Sequence, residues 1–149
     1  MKALLQRVTT ASVTVDDSVV GRIQDGLMVL LGVAKGDQES DACVVVDKIR
    51  NLRMFSDVHG KMNRSLSDVG GAVLLVSQFT LLGSTTKGRR PSFDEAAAPD
   101  QAERLYEQVA QGLREGGTRV EMGVFAAHMQ VTLVNDGPVT FMVDSRPGR

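Results

Sequence analysis

The sequence predicts an α+β fold in which a mostly antiparallel, barrel-like β-sheet is covered by two main helices. Three observations carry that prediction. Strand-like segments dominate both ends of the chain, two segments between them repeat apolar residues at helical spacing, and the apolar runs 27–33 and 73–79 read as core strands. The 149 residues suit a single domain, 1–149, long enough to bury a core.

Residues 2–7 and 12–15 read as strand, with Val13 and Val15 alternating against Ser12 and Thr14. Asp16, Asp17 and Ser18 offer a turn into 19–23, so a meander begins the fold, and the 27–33 strand ends at Lys35, Gly36 and Asp37. Ala42, Val45, Val46, Ile49 and Leu52 then recur three and four residues apart, which predicts a helix over 39–53. Cys43 lies inside it and is expected in the core. Residues 57–60 read as a turn, 67–71 as a loop, 73–79 as a strand and 83–92 as a polar segment. Ala102, Leu105, Tyr106, Val109 and Leu113 mark a second amphipathic helix, with Pro99, Asp100 and Glu103 suited to its first turn. Segments 119–125, 129–134 and 139–144 read as strands, and 145–149 as a loose tail.

Composition narrows the function classes. Hydrophobic residues make up 42% and charged residues 23%, as in a soluble globular chain, and the apolar runs are far too short to span a bilayer. The first residues reach Gln6 and Arg7 at once, without the apolar core of a secretory signal, so a cytoplasmic location is expected. A single cysteine excludes an internal disulfide framework and a thiolate metal cage. A net charge of −1 argues against broad coating of a polyanion, so any RNA contact should be local.

Two short segments look unnecessary for folding. Ser77-Gln78-Phe79-Thr80 closes an apolar strand with small hydroxyls, an amide and consecutive N–H groups, and Asn135-Asp136-Gly137-Pro138-Val139-Thr140 puts Gly and Pro in one tight turn between strand-like runs. Together they suggest an active site built mainly from backbone, in which the Phe79 and Thr80 N–H groups and the Ser77 hydroxyl polarise an ester carbonyl. A conventional esterase, with Thr80 or Ser77 attacking and His128 as base, is the rival chemistry, although hydroxyls at strand ends are more often structural. His59 and His128 are the only histidines and neither has metal-ligand spacing, so neither a metal nor a cofactor is expected. Lys87, Arg89 and Arg90 crowd a glycine-containing loop that suits a phosphate or an RNA end, or is simply a solvated charged loop. Phe125 and Met129 either flank a base or fill the core.

Gln6-Arg7-Val8 with Ala11-Ser12-Val13, Ser77-Gln78-Phe79-Thr80-Leu81, Arg90-Pro91-Ser92-Phe93, Gly123-Val124-Phe125-Ala126-Ala127-His128-Met129 and Asn135 to Thr140 together resemble the D-aminoacyl-tRNA deacylase family over nearly the whole chain. That resemblance implies a homodimer with active sites at the interface, where a cis Gly137-Pro138 turn from each subunit enters its partner's pocket and excludes L side chains. It implies that Ser77, Gln78, Phe79 and Thr80 line the ester site, that Phe125, Ala127 and Met129 help hold the terminal adenosine, and that Lys87, Arg89 and Arg90 lie near the entrance. The implied reaction frees a D-amino acid from tRNA with help from the terminal 2′-hydroxyl; glycyl-tRNA, including glycine mischarged on alanine tRNA, would also be a substrate, because a site that selects by clash cannot reject an absent side chain. The expected partners are D-aminoacyl-tRNA, glycyl-tRNA and a second copy of the chain, with no membrane and no DNA. A non-catalytic RNA-binding module using the 87–90 patch is the remaining alternative.

Overall fold

The computed structural model describes residues 1–148. The two strand segments expected near the N-terminus are one strand, β1 (Lys2–Val15), and every other part of the sheet is arranged around it. One edge of β1 pairs antiparallel with β3 (Gly26–Gly32) along its first half and with β2 (Ser18–Ile23) along its second. Its other edge carries β8 (Gln130–Asp144) along nearly its whole length, again antiparallel. Beyond β3, β6 (Ala72–Ser77) and β7 (Val120–Met122) add as parallel strands, so the sheet is mixed rather than purely antiparallel. The sheet nearly closes: a Cβ placed on Gly21 of β2 would lie 3.0 Å from the Met122 carbonyl of β7.

Parallel neighbours need long crossovers, and helices supply them. Helix α1 (Glu39–Asn51) lies between β3 and β6, and α3 (Pro99–Glu115) between β6 and β7. The same first crossover holds a small hairpin, β4 (Phe55–Ser56) with β5 (Met62–Arg64), and a four-residue helix α2 (Leu66–Val69) in the segment expected to be loop. Both faces of the central strands are buried, which explains their unbroken apolar sequences. Leu27, Val29, Leu31, Val73 and Leu75 face the helices among Ala42, Val45, Ile49, Leu105, Val109 and Leu113, whereas Met28, Leu74 and Val76 fill the barrel with Val8, Ala11, Val13 and Ile23.

Four expectations need correction. Cys43 is exposed, because Ala42, Val45 and Ile49 take the inward stripe of α1 and the next residue is turned about a quarter circle away. The segment 123–129 is a turn-rich loop, so the strand expected over 119–125 stops at Met122 and the one expected from 129 begins at Gln130. Asn135 to Thr140 does not separate two strands: β8 continues through it, and between the pairs Gln6↔Thr140 and Val8↔Asn135 residues 136–139 bulge out opposite Arg7 alone. Finally, Ser145 and Arg146 are tied down rather than loose. The Ser145 hydroxyl and the Arg146 guanidinium both donate to the Asp41 carboxylate, at 2.8 and 2.5 Å, and the guanidinium holds that carboxyl well below the usual carboxylate range. Arg149 lies outside the described residues. No helix among the described residues is long and apolar enough to cross a membrane.

Candidate active site

The end of β6 is pinned by its neighbour. Leu31 pairs with Ser77, and the Gln78 N–H donates to the Leu31 carbonyl at 2.8 Å. The chain then tightens into a 3₁₀ turn, Phe79–Leu82, which shortens the strand expected over 73–79. This turn lies against Gly32 of β3, where a Cβ would stand 2.5 Å from a Leu82 methyl and 2.9 Å from the Gln78 carbonyl oxygen, so any larger residue would push it away. Phe79 and Thr80 begin the turn, where backbone N–H groups have no partner inside the helix. The Gln78 side-chain amide donates to the Thr80 hydroxyl.

A cavity of about 490 Å³ opens beside this strand end. Ser77, Gln78 and Phe79 form its polar end, Phe125, Ala127, His128 and Met129 one wall, and Val33, Ala96, Ala97 and Pro99 the other. The second wall is held by the Ala34↔Ala96 bridge and by the Ala97 N–H donating to Val33 at 3.0 Å. Below the loop, buried Tyr106 donates its hydroxyl to the Leu75 carbonyl at 2.8 Å, and the Gly123 N–H donates to the same oxygen at 3.0 Å. Burial pushes the Tyr106 phenol above its ordinary value, so it remains a donor. Its ring lies 5.9 Å from that of Phe125.

Lys87, Arg89 and Arg90 are exposed on a loop that the Ser84↔Ser92 bridge folds back on itself. Phe93, just after it, meets Phe79 edge-on at 5.0 Å, so the cationic loop begins and ends at the cavity rim. Among the described residues, no hydrogen bond links His128 to Ser77 or Thr80, and no three His, Cys, Asp or Glu side chains gather as metal ligands.

Gly137 and Pro138 are not brought to this cavity. Their peptide bond is cis, and no residue of 135–140 lines the cavity walls. The bulge has its own support: the Asn135 amide spans its base, accepting from the Val139 N–H at 2.7 Å and donating to the Val139 carbonyl at 3.2 Å. Arg7 holds the bulge from beneath, its Nε donating to the Asp136 carbonyl at 2.8 Å and its Nη1 to the Met54 carbonyl at 2.7 Å. Arg7 was legible only as part of the Gln6-Arg7-Val8 motif, with no role attached to it, and the 96–97 wall left no local signal at all.

β8 pairs with β1 alone, so its other edge is open among the described strands. Val134, Phe141 and Met142 on it are 53, 39 and 53% exposed, and Phe79 at the cavity rim is 55% exposed.

Comparison with known proteins gives consistent matches. The family described as D-Tyr-tRNA(Tyr) deacylase matches residues 4–144. A D-aminoacyl-tRNA deacylase of Desulfitobacterium hafniense is 58% identical over 145 residues, 97% of each chain, and one of Heliobacterium modesticaldum is 58% identical over 148 residues, 99% of each. A solved structure named c-Myc DNA Unwinding Element Binding Protein is 42% identical with a TM-score of 0.92, covering 98% of this chain and 99% of that one. A second, described as a probable eukaryotic D-amino acid tRNA deacylase, shares the fold at a TM-score of 0.84 and 20% identity, covering 96% of this chain and 98% of that one.

Proposed function

The chain belongs to the D-Tyr-tRNA(Tyr) deacylase family, and from that premise we propose that it hydrolyses the ester of D-aminoacyl-tRNA, releasing the D-amino acid and free tRNA. The observation that carries the reading is the separation of two segments within one chain. The cavity offers a polar strand end and apolar walls, whereas the Gly137-Pro138 bulge is braced from inside and forms no part of that cavity's lining. A second copy resolves the separation. Its bulge would enter the first copy's cavity, and the open β8 edge with exposed Val134, Phe141 and Met142 supports such pairing.

In this reading the terminal adenosine lies between Phe125, Ala127 and Met129, and the ester carbonyl lies at the Ser77–Thr80 turn. Water attacks the carbonyl carbon, aided by the 2′-hydroxyl of that adenosine. The N–H groups of Phe79 and Thr80 and the Ser77 hydroxyl stabilise the developing oxyanion, and the 3′-oxygen leaves with a proton. Backbone of the incoming bulge occupies the space an L side chain would need. Glycine, which has no side chain to reject, is a substrate as well, including on alanine tRNA. Lys87, Arg89 and Arg90 meet the phosphates beside the cavity. These events require no metal or cofactor and match a cytoplasmic enzyme acting on tRNA.

The test is to incubate matched D-tyrosyl-, L-tyrosyl- and glycyl-tRNA with the protein and follow ester loss. Cleavage of the D and glycyl esters with sparing of the L ester is expected. Equal cleavage of D and L returns the esterase reading. Tight nucleic-acid binding without cleavage returns the binding module, the reading that the name of the 42% identical structure favours.

A further inference from the structure

Charge is unevenly distributed in this chain. Residues 48–64, from the last turn of α1 through the β4–β5 hairpin, hold five of its 17 lysines and arginines but one of its 18 carboxylates. Lys48, Arg53, Lys61 and Arg64 are all exposed, as is His59 at the tip. The single carboxylate, Asp57, turns inward, where its Oδ1 accepts the N–H groups of His59 and Lys61 at 2.8 and 3.0 Å. Those bonds hold its carboxyl below the ordinary value, so it serves as the brace of the hairpin tip. Asp68 beyond the segment is similarly engaged, its Oδ2 accepting the Ser65 N–H at 2.8 Å as the short helix begins. The arginines find only neutral partners by hydrogen bond: Arg53 reaches the Asn63 amide oxygen at 3.2 Å and Arg64 the Asp68 carbonyl at 3.0 Å. A cationic island thus stands out on a chain whose net charge is −1.

Its position gives the island meaning. The hairpin begins one residue after Met54, whose carbonyl shares the Arg7 guanidinium with the Asp136 carbonyl. Phe55 and Asp136 also line one cleft of about 540 Å³. The hairpin and the Gly137-Pro138 bulge are therefore braced as one unit.

We propose that the β4–β5 hairpin is a docking surface for tRNA phosphates, contacting the acceptor arm whose 3′ end occupies the opposite protomer's cavity. The proposal rests on the reading above in which the bulge enters that cavity. Wherever the bulge goes, the hairpin base goes with it, which sets Arg53, Lys61 and Arg64 beside the mouth through which the arm must leave. RNA duplex is held chiefly through its phosphates and sugars, and exposed cations on a rigid hairpin suit such contacts. Each tRNA would then be gripped by two subunits: by Lys87, Arg89 and Arg90 of the subunit holding its end, and by the hairpin of the other.

The experiment compares the Arg53→Glu/Lys61→Glu double variant with the wild type on two substrates, full D-tyrosyl-tRNA and the D-tyrosyl ester of adenosine, which has no phosphates. The double reversal is expected to lower kcat/KM for the tRNA about tenfold and to make its salt dependence shallower by about two in log–log slope. The adenosine ester should be cleaved as before, and Arg104→Glu on α3 should leave both substrates unaffected. An unchanged rate and salt slope on tRNA would overturn the proposal, as would equal loss on both substrates, which would signal damage to the fold or the cavity. A wild type inactive on both esters overturns the deacylase reading itself, a result distinct from either.

Discussion

Arg7 reaches across from β1 to Asp136 on β8, its Nε 2.8 Å from the Asp136 carbonyl oxygen, while Nη1 of the same guanidinium takes the Met54 carbonyl at 2.7 Å. One side chain that is largely buried thus braces the bulge carrying Gly137 and Pro138. A lysine has a single point of attachment and cannot reproduce two divergent bonds from a planar fork. Arg7→Lys is therefore expected to lower kcat/KM for D-tyrosyl-tRNA about tenfold, corresponding to about 1.4 kcal/mol, and to narrow the gap between D and L substrates. Steady-state kinetics on the matched D and L esters checks both.

Gly137 has φ of +142°, and a Cβ there would lie 2.7 Å from Val139 Cγ2, 3.0 Å from the Val139 nitrogen and 3.3 Å from Arg7 Nη2. Backbone and guanidinium both stand in the way. Gly137→Ala should cost about 1–3 kcal/mol of stability and move the bulge enough to impair turnover. Denaturant unfolding measures the first effect and deacylation of D-tyrosyl-tRNA the second. A variant as stable and active as the wild type would show that the bulge has room to adapt.

The Thr80 hydroxyl is occupied by the Gln78 amide and makes no hydrogen bond to His128 among the described residues. Thr80→Ala should therefore keep activity within about tenfold of wild type, the scale of losing one supporting hydrogen bond, whereas loss of a nucleophile costs many orders of magnitude. Single-turnover rates for Thr80→Ala and Ser77→Ala distinguish the two cases. Abolished turnover in either would favour the esterase chemistry.

Asp41 is buried, with Arg146 and Ser145 donating to its carboxylate, so its proton is bound more weakly in the folded chain than in the unfolded one. A carboxyl depressed by folding contributes stability that is full above its ordinary value near 3.8 and fades as pH falls toward the folded value. Asp41→Asn should lose about 2 kcal/mol at pH 7, and the difference from wild type should shrink steadily below pH 4. Urea midpoints at pH 7 and pH 3 test this. A pH-independent difference would mean that the lost stability is packing rather than charge.

How much of this was readable in sequence depended on whether the signal was local. The strands at 27–33 and 73–79 were legible because burial on both faces leaves unbroken apolar runs, and α3 because its inward stripe repeats from Leu105 to Leu113. That β6 runs parallel to β3 was not, since an intervening helix permits either direction and the choice is settled by which strands become neighbours in the sheet. The continuity of β8 was hidden for a different reason. Gly137 and Pro138 carry strong turn signals, yet the ladder absorbs them as a bulge because Arg7 and Asn135 supply the bonds that the strand gives up. The C-terminal anchor was invisible because Arg146 and Asp41 stand 105 positions apart. For the candidate site, the strand end at Ser77 was readable, whereas the wall at Ala96 and Ala97 comes from a segment whose composition looks like ordinary loop.

The unbroken course of β8 also bears on how the gene can be edited. The strand leaves the cavity wall just after Val131, passes through the Gly137-Pro138 bulge and ends beside Ser145, so its residue count fixes the distance between all three. One inserted codon between 131 and 134 would turn every following side chain to the opposite face until the bulge absorbed it, or would shift the bulge away from Arg7. The hairpin tip at 58–60, open to solvent, sets no such distance. A library of single-residue insertions should therefore yield folded clones at 58–60, impaired on tRNA but not on the adenosine ester, and almost no folded clones along 131–143.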